Sequence, residues 1–274
     1  MIPKVIHYCW FGKSDLPESA KKCINSWKEK CPGYQIKRWD ESNFNVDFCQ
    51  YSRDAYNEKK WAFVSDVARF KILYDHGGVY LDTDVELIKD IDNIVCQGAF
   101  LGEELGDPVM IAPGLGMASE AGNPVYKEIL EYYCKQSFFK EDGAIDSDTI
   151  VARVTRIMKK YGFIGKGSIE QIRGIKIYPP EYFCPKNYYT GELSISNNTY
   201  SIHHYTATWH EPEEEKSYNI EKKINRILGV KLGLIIGKPV HQYYRVKYRI
   251  REKGSVKGAI RFYISKLSGK IRRN

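Results

Sequence analysis

No two of the seven cysteines stand in C-x-x-C spacing, and their number is odd. Cys9, Cys23, Cys31, Cys49, Cys96, Cys134 and Cys184 are scattered along the chain. That pattern argues against a disulfide or zinc framework and predicts reduced, packed thiols in a cytosolic protein. Apolar runs long enough to cross a bilayer are missing as well. The first strand is expected to begin at Ile2, which leaves no room for a signal peptide and predicts a cytoplasmic location. No nucleic-acid-binding motif is recognisable. Acids, finally, are scarce toward the C-terminus. Residues 216–274 carry 17 Lys and Arg against 2 acids, a net of +15, whereas the rest carries 25 against 32, a net of −7. The overall +8 therefore hides an acidic globule with a basic extension, which points to a polyanionic surface as partner.

At 274 residues, with 43% hydrophobic and 28% charged residues, the chain can bury the core of one α/β domain. Its organising stretch is WAFVSDVARFKILYDHGGVYLDTDVEL, residues 61–87. Phe63, Val67, Phe70 and Tyr74 recur at helical spacing, and Gly77 and Gly78 end the helix. Residues 79–85 then alternate as a strand, with Tyr80, Asp82 and Asp84 expected on one face. Two carboxylates on one side of a strand end either stay solvated or hold a divalent cation. Their place at the carboxyl end of an apolar strand, where open α/β sheets bind ligands, favours the cation. Ser65, Asp66 and Arg69 sit on the preceding helix; Asp66 and Arg69 are neighbours there, and a helix-edge ion pair is the plain alternative.

Before this stretch, residues 4–12 read as a strand closed by a glycine, 17–30 as a helix, and CPGYQIKRWD as a turn into a second strand ending at Trp39. This is the strand–helix–strand pattern of a parallel sheet. Further strands are expected around 99–101, 109–111 and 175–178, and helices over 124–135 and 147–161. Asp148 is read either as an acceptor-side acid or as helix N-terminal capping. YSIHHY ends a strand in His203 and His204, of which adjacent-residue alternation allows only one to face the carboxylates. From Gly254 onward Val256, Ile260, Tyr263, Leu267 and Ile271 recur at helical spacing among lysines and arginines. That basic amphipathic helix either lies on an anionic membrane face or docks on the globule.

SD-x-x-R followed by GG-x-Y-x-D-x-D resembles the signature of the DXD sugar-nucleotide glycosyltransferases, specifically glycosyltransferase family 32. That family includes bacterial capsule and O-antigen enzymes and is similar, more distantly, to the clostridial glucosylating toxins. The likeness runs from IPKVIHYCWFG to SIHHYTATW. It implies a GT-A fold, a single Rossmann-like mixed sheet flanked by helices over residues 1–215; from about Lys216 the likeness fades, and charge and spacing mark 216–274 as a basic helical extension. It implies a retaining transfer from a nucleotide-sugar donor with Mn²⁺ or Mg²⁺. Asp84 and His203 are then expected to be metal ligands, with Asp82 sharing the metal or holding the ribose. Asp66 and Arg69 would meet the donor sugar and phosphates from beside Ser65, Tyr80 and Trp209 the diphosphate, and His7, Trp10, Phe11 and Trp39 the base. GLGMAS fits a small-residue segment of the family loosely, and DSDTIVARVT departs from it on the acceptor side. Eukaryotic Golgi members carry a membrane anchor, so the resemblance without one implies a bacterial enzyme on the inner membrane face, with a lipid-linked oligosaccharide acceptor. Two other readings are a toxin-like protein glycosyltransferase and a non-catalytic nucleic-acid-binding protein led by the basic tail; the acidic globule speaks against nucleic acid.

Overall fold

The structure is a computed structural model, and it describes residues 1–106, 108–206, 212–258, 260 and 261. In chain order it runs β1 (Val5–Cys9), α1 (Glu18–Lys30), β2 (Gln35–Trp39), α2 (Gln50–Asn57), α3 (Trp61–His76), β3 (Gly78–Tyr80), β4 (Val85–Leu87) and α4 (Asp92–Val95). It continues through β5 (Phe100–Glu104), β6 (Met110–Ile111), β7 (Met117–Ser119), α5 (Pro124–Lys135), α6 (Ile150–Lys159), β8 (Glu170–Ile172) and β9 (Ile175–Tyr178). Last come α7 (Pro180–Phe183), β10 (Ser201–His203), α8 (Pro212–Leu228) and α9 (Val230–Glu252). Two compact units result: Met1–Lys186 with Leu193–Thr206, and Asn187–Glu192 with the chain after Thr206.

The first unit is a mixed α/β fold around a central sheet ordered β2-β1-β3-β7-β5-β9-β8, with β6 on β5. β1 pairs parallel with both β2 and β3, and β7 runs antiparallel between β3 and β5. Alternation along the strands sorts the core into two layers. Ile6, Tyr8, Val79, Phe100 and Ala118 join Trp27 of α1 in one cluster. Cys9, Tyr80, Leu101 and Met117 face Val67, Phe70 and Leu73 of α3 and Tyr126 of α5 in the other. Each buried Val, Leu, Ile, Phe or Met among them contributes roughly 1.5–3 kcal/mol. The central helix α3 is buried on more than the expected stripe, because Val64, Ala68 and Ile72 are covered too; it packs against both α2 and α5.

α3 stops where predicted. Gly77 takes φ 65° and Gly78 φ 104°, and the Gly77 N–H caps the Leu73 carbonyl at 2.9 Å. A Cβ on Gly78 would lie 2.8 Å from the Val5 carbonyl oxygen, so only glycine lets β3 enter beside β1.

The expected strand over residues 79–85 is corrected. β3 ends at Tyr80, Thr83 and Asp84 form a turn closed by Val85 N–H on the Asp82 carbonyl at 3.0 Å, and β4 leaves the main sheet. It pairs antiparallel with β10 instead, His203 opposite Val85 and Ile202 opposite Glu86. Trp27 Nε1 donates to the Val85 carbonyl at 2.7 Å and fastens that departure to α1. All seven thiols are free; Cys96 and Cys134 are exposed and the rest buried.

Candidate active site

Because the chain turns at residues 83–84, Asp82 and Asp84 meet different surroundings rather than sharing a strand face. Asp82 donates its backbone N–H to the Gly114 carbonyl at 3.0 Å. Its carboxylate lies 3.2 Å from Arg69 Nη2 and 3.4 Å from Nη1, and accepts from the Tyr80 hydroxyl at 3.0 Å. Arg69 is 4% exposed, lies over the Tyr80 ring with 4.9 Å to its centroid, and reaches Asp66 Oδ1 at 3.3 Å. The expected helix-edge pair is thus the inner half of a chain, Asp66–Arg69–Asp82, that ends at the strand tip. Burial pushes Asp66 up to about 7 despite the pull of Arg69. Burial raises Asp82 as well, again with Arg69 opposing. Gly114 makes room for the carboxylate: a Cβ there would fall 1.9 Å from Asp82 Oδ2.

Asp84 is held instead by β10 and by Thr206 beyond it. Its Oδ1 lies 3.1 Å from His203 Nε2, and its Oδ2 accepts the Thr206 N–H at 3.0 Å and hydroxyl at 3.4 Å. Burial alone would raise Asp84, but the His203 charge, the His203 hydrogen bond and the Thr206 N–H hold it down to about 2. Burial pulls His203 the other way, and Asp84 overcomes it and raises the imidazole above its ordinary value. His204 turns to the opposite side, 2.7 Å from Glu86 Oε2, as alternation along a strand requires. Each group of the pair thus favours the charged form of the other. A divalent cation fits in the proton's place: the 3.1 Å N···O separation matches the roughly 3 Å between neighbouring ligands on a cation with ~2.1 Å bonds. His203 Nδ1 is buried without a hydrogen-bond partner among the described residues. Asp82, turned to Arg69 and Tyr80, stands outside that pair, and among the described residues no group of three or more His, Cys, Asp or Glu is gathered as a ready metal cage.

Most of the other expected positions have partners within the fold. His7 and Trp39 are bonded to each other, Trp39 Nε1 donating to His7 Nδ1 at 3.0 Å while His7 Nε2 donates to the Gly77 carbonyl at 2.9 Å. Neither imidazole nitrogen is left for a base, and burial depresses His7 to about 4. Trp10 is half-buried with its Nε1 on the Ser14 carbonyl, and Phe11 is buried edge-on to Phe44. Ser65 bonds the Trp61 carbonyl, and its own carbonyl accepts from Arg69 Nε at 3.2 Å. Trp209 lies outside the described residues. Four groups at the site were not expected from the sequence. They are Gly114, Thr206, Glu104, raised by burial against the pull of His203, and Lys186, whose Nζ donates to the His204 carbonyl at 3.2 Å. Gly114 alone carried a readable signal, the small-residue run GLG.

Residues 17–101 match the family described as glycosyltransferase sugar-binding region containing DXD motif. The match takes in Asp66, Arg69, Tyr80, Asp82 and Asp84. Inositol phosphoceramide mannosyltransferase 1 of Schizosaccharomyces pombe is 30% identical over 111 residues, 36% of this chain and 33% of that protein. An uncharacterized glycosyltransferase of Acanthamoeba polyphaga mimivirus is 30% identical over 109 residues, 36% of this chain and 42% of its own. The matched part thus spans well under half the length of these relatives. Among solved structures, the PaToxG glycosyltransferase is similar over 58% of this chain and 69% of its own, at 17% identity and a TM-score of 0.45. The two curated relatives and the family description name one class, glycosyltransferase.

Proposed function

We propose that the chain is a GT-A-type retaining glycosyltransferase that moves a hexose from a nucleoside diphosphate sugar, a UDP-sugar above all, to a lipid-linked oligosaccharide of bacterial surface polysaccharide synthesis. The observation that carries this reading is the Asp84–His203 pair beside the Asp82–Arg69 pair, two ion pairs whose aspartates share one turn of the matched segment. The name of the Schizosaccharomyces pombe relative, an inositol phosphoceramide mannosyltransferase, lends weight to a lipid acceptor.

Asp84 and His203 would hold Mn²⁺ or Mg²⁺, which supplies Lewis-acid neutralisation of the departing diphosphate. Arg69, permanently charged and fixed by Asp66 and Asp82, adds positive charge beside the leaving group without reorganising. Asp82, held by Arg69 and Tyr80, faces the donor sugar and ribose with its open edge. The Asp84 carboxylate stays ionised across the physiological range because its pKa is held near 2. No covalent nucleophile is assigned. The acceptor hydroxyl attacks from the face that the diphosphate leaves, and its proton passes to the departing phosphate oxygen.

A panel of nucleotide sugars with Mn²⁺, read as release of nucleoside diphosphate, tests this. One donor should be hydrolysed in a metal-dependent manner and Asp84→Asn should abolish its release. Turnover unaffected by that substitution, or no release from any donor, would overturn the assignment.

A further inference from the structure

The helical hairpin of the second unit is built inside out. α8 turns through Gly229 into α9, and the two helices meet at small and polar residues. Ser217, Glu221 and Asn225 of α8 recur every fourth residue, as do Gly233, Gly237 and His241 of α9. Ser217 Oγ lies 2.7 Å from His241 Nδ1, and His241 Nε2 lies 2.7 Å from Glu221 Oε2. A Cβ on Gly237 would come within 2.3 Å of Glu221 Oε2, and one on Gly233 within 1.9 Å of Asn225 Oδ1, so the glycines are what let the helices close. Ile220, Ile224, Leu234 and Val240 are half-buried, but a further set of apolar side chains points to the outside: Ile227 is 80% exposed, Ile235 61%, Leu232 57% and Ile236 43%.

A hairpin that folds in water puts its apolar stripe between the helices and its charges outside. Gly-x-x-x-Gly against a neighbour, with polar side chains bonded across the seam, is instead how helices pack when lipid surrounds them. Among the described residues no helix is long and apolar enough to cross a membrane, so the exposed stripe suits a shallow position. Lys231 and Lys238 flank the apolar run, with stems long enough to leave their ammonium groups among headgroups.

We infer that the tip of this hairpin, centred on Leu232, Ile235 and Ile236, inserts into the headgroup–acyl boundary of an anionic bilayer as a monotopic anchor. The bilayer is chosen over a second copy of the chain by charge. Pairing two such segments would bring two net charges of +15 together, whereas anionic lipid complements them. This anchor lies upstream of the basic segment that begins at Gly254, and it stands whether or not the glycosyl-transfer reading does.

Flotation of the full chain with vesicles of phosphatidylcholine, alone or with an equal share of phosphatidylglycerol, tests it. Binding to the mixed vesicles is expected, and Ile235→Asp with Ile236→Asp should lower the partition coefficient at least about tenfold. Circular dichroism checks that the pair keeps its helix content. Independently, Ile235→Trp should show tryptophan emission quenched by brominated lipid beyond that of the parent chain. Asp variants that bind like the parent, a Trp at 235 that adds no quenching, or an apolar face that forms dimers in solution without vesicle binding would each overturn the inference.

Discussion

The sheet unit and the hairpin solve opposite problems with the same amino acids. Around β3, apolar side chains are sealed between sheet and helices, and charged groups are gathered at the strand end, each against a partner. In the hairpin the paired polar groups are sealed between helices and the isoleucines are left outside. On the proposed reading, charge in the first case serves a ligand, so its removal should cost activity. Polarity in the second serves packing, so its removal should cost structure.

The sharpest break of that contrast is Asp84→Asn. It removes the ionised partner of His203, and turnover should be abolished while the protein still melts cooperatively, at a temperature lowered by the loss of the buried pair. Kinetics and a thermal melt on the same sample separate the two.

Next is Glu103, a buried carboxylate of β5 whose two oxygens have no hydrogen-bond partner. Burial pushes it up to about 7, with Glu170 adding to the shift. The folded state therefore binds more protons than the unfolded one between about 4.5 and 7. Stability from this group is full below that window and lost as pH rises through it, about 3 kcal/mol in all. Glu103→Met should flatten the dependence, as read by urea unfolding from pH 4.5 to 8.

Gly114→Ala should cost about 1–3 kcal/mol and push Asp82 off Arg69, lowering turnover by one to two orders of magnitude. An alanine variant with parental kinetics would show that the close approach of Gly114 to Asp82 has no part in the reaction. The smallest effect is expected from Gly237→Ala. Helix propensity favours alanine by up to about 1 kcal/mol, but the Cβ would displace Glu221 from His241. The net should be a loosened hairpin, visible as faster amide exchange in α8 and α9, with donor hydrolysis unchanged.

Much of the fold is written in local pattern. The 3.6-residue rhythm of α3, the glycine pair behind it and the strand end before Asp82 follow from near neighbours. The break at Leu81 does not. In VYLDTDV only the turn preference of the aspartates hints at a break, with neither glycine nor proline to mark it; β4 is drawn away by pairing with β10, more than a hundred residues later. The same holds for His7 and Trp39. An aromatic and an imidazole on two separate strands read as ligand contacts; only the parallel pairing, which sets His7 opposite Lys37 and Trp39 opposite Cys9, brings their rings within hydrogen-bond reach of each other. Asp66 was legible as a neighbour of Arg69 but not as the inner end of a three-member chain, since Asp82 joins only through the fold. The hairpin's polarity was hidden for a related reason: a stripe of isoleucines tells that a face is apolar, never what covers it.

The bond between Trp39 and His7 carries a consequence for acid conditions. His7 is held neutral well below its usual range by burial, as acceptor from the indole and donor to the α3 cap. Adding a proton sets two N–H groups head to head in a dry seam. Stability drains away as pH drops from the imidazole's ordinary value toward about 4. The junction of β1, β2 and the glycine corner is where acidification should first pry the sheet open.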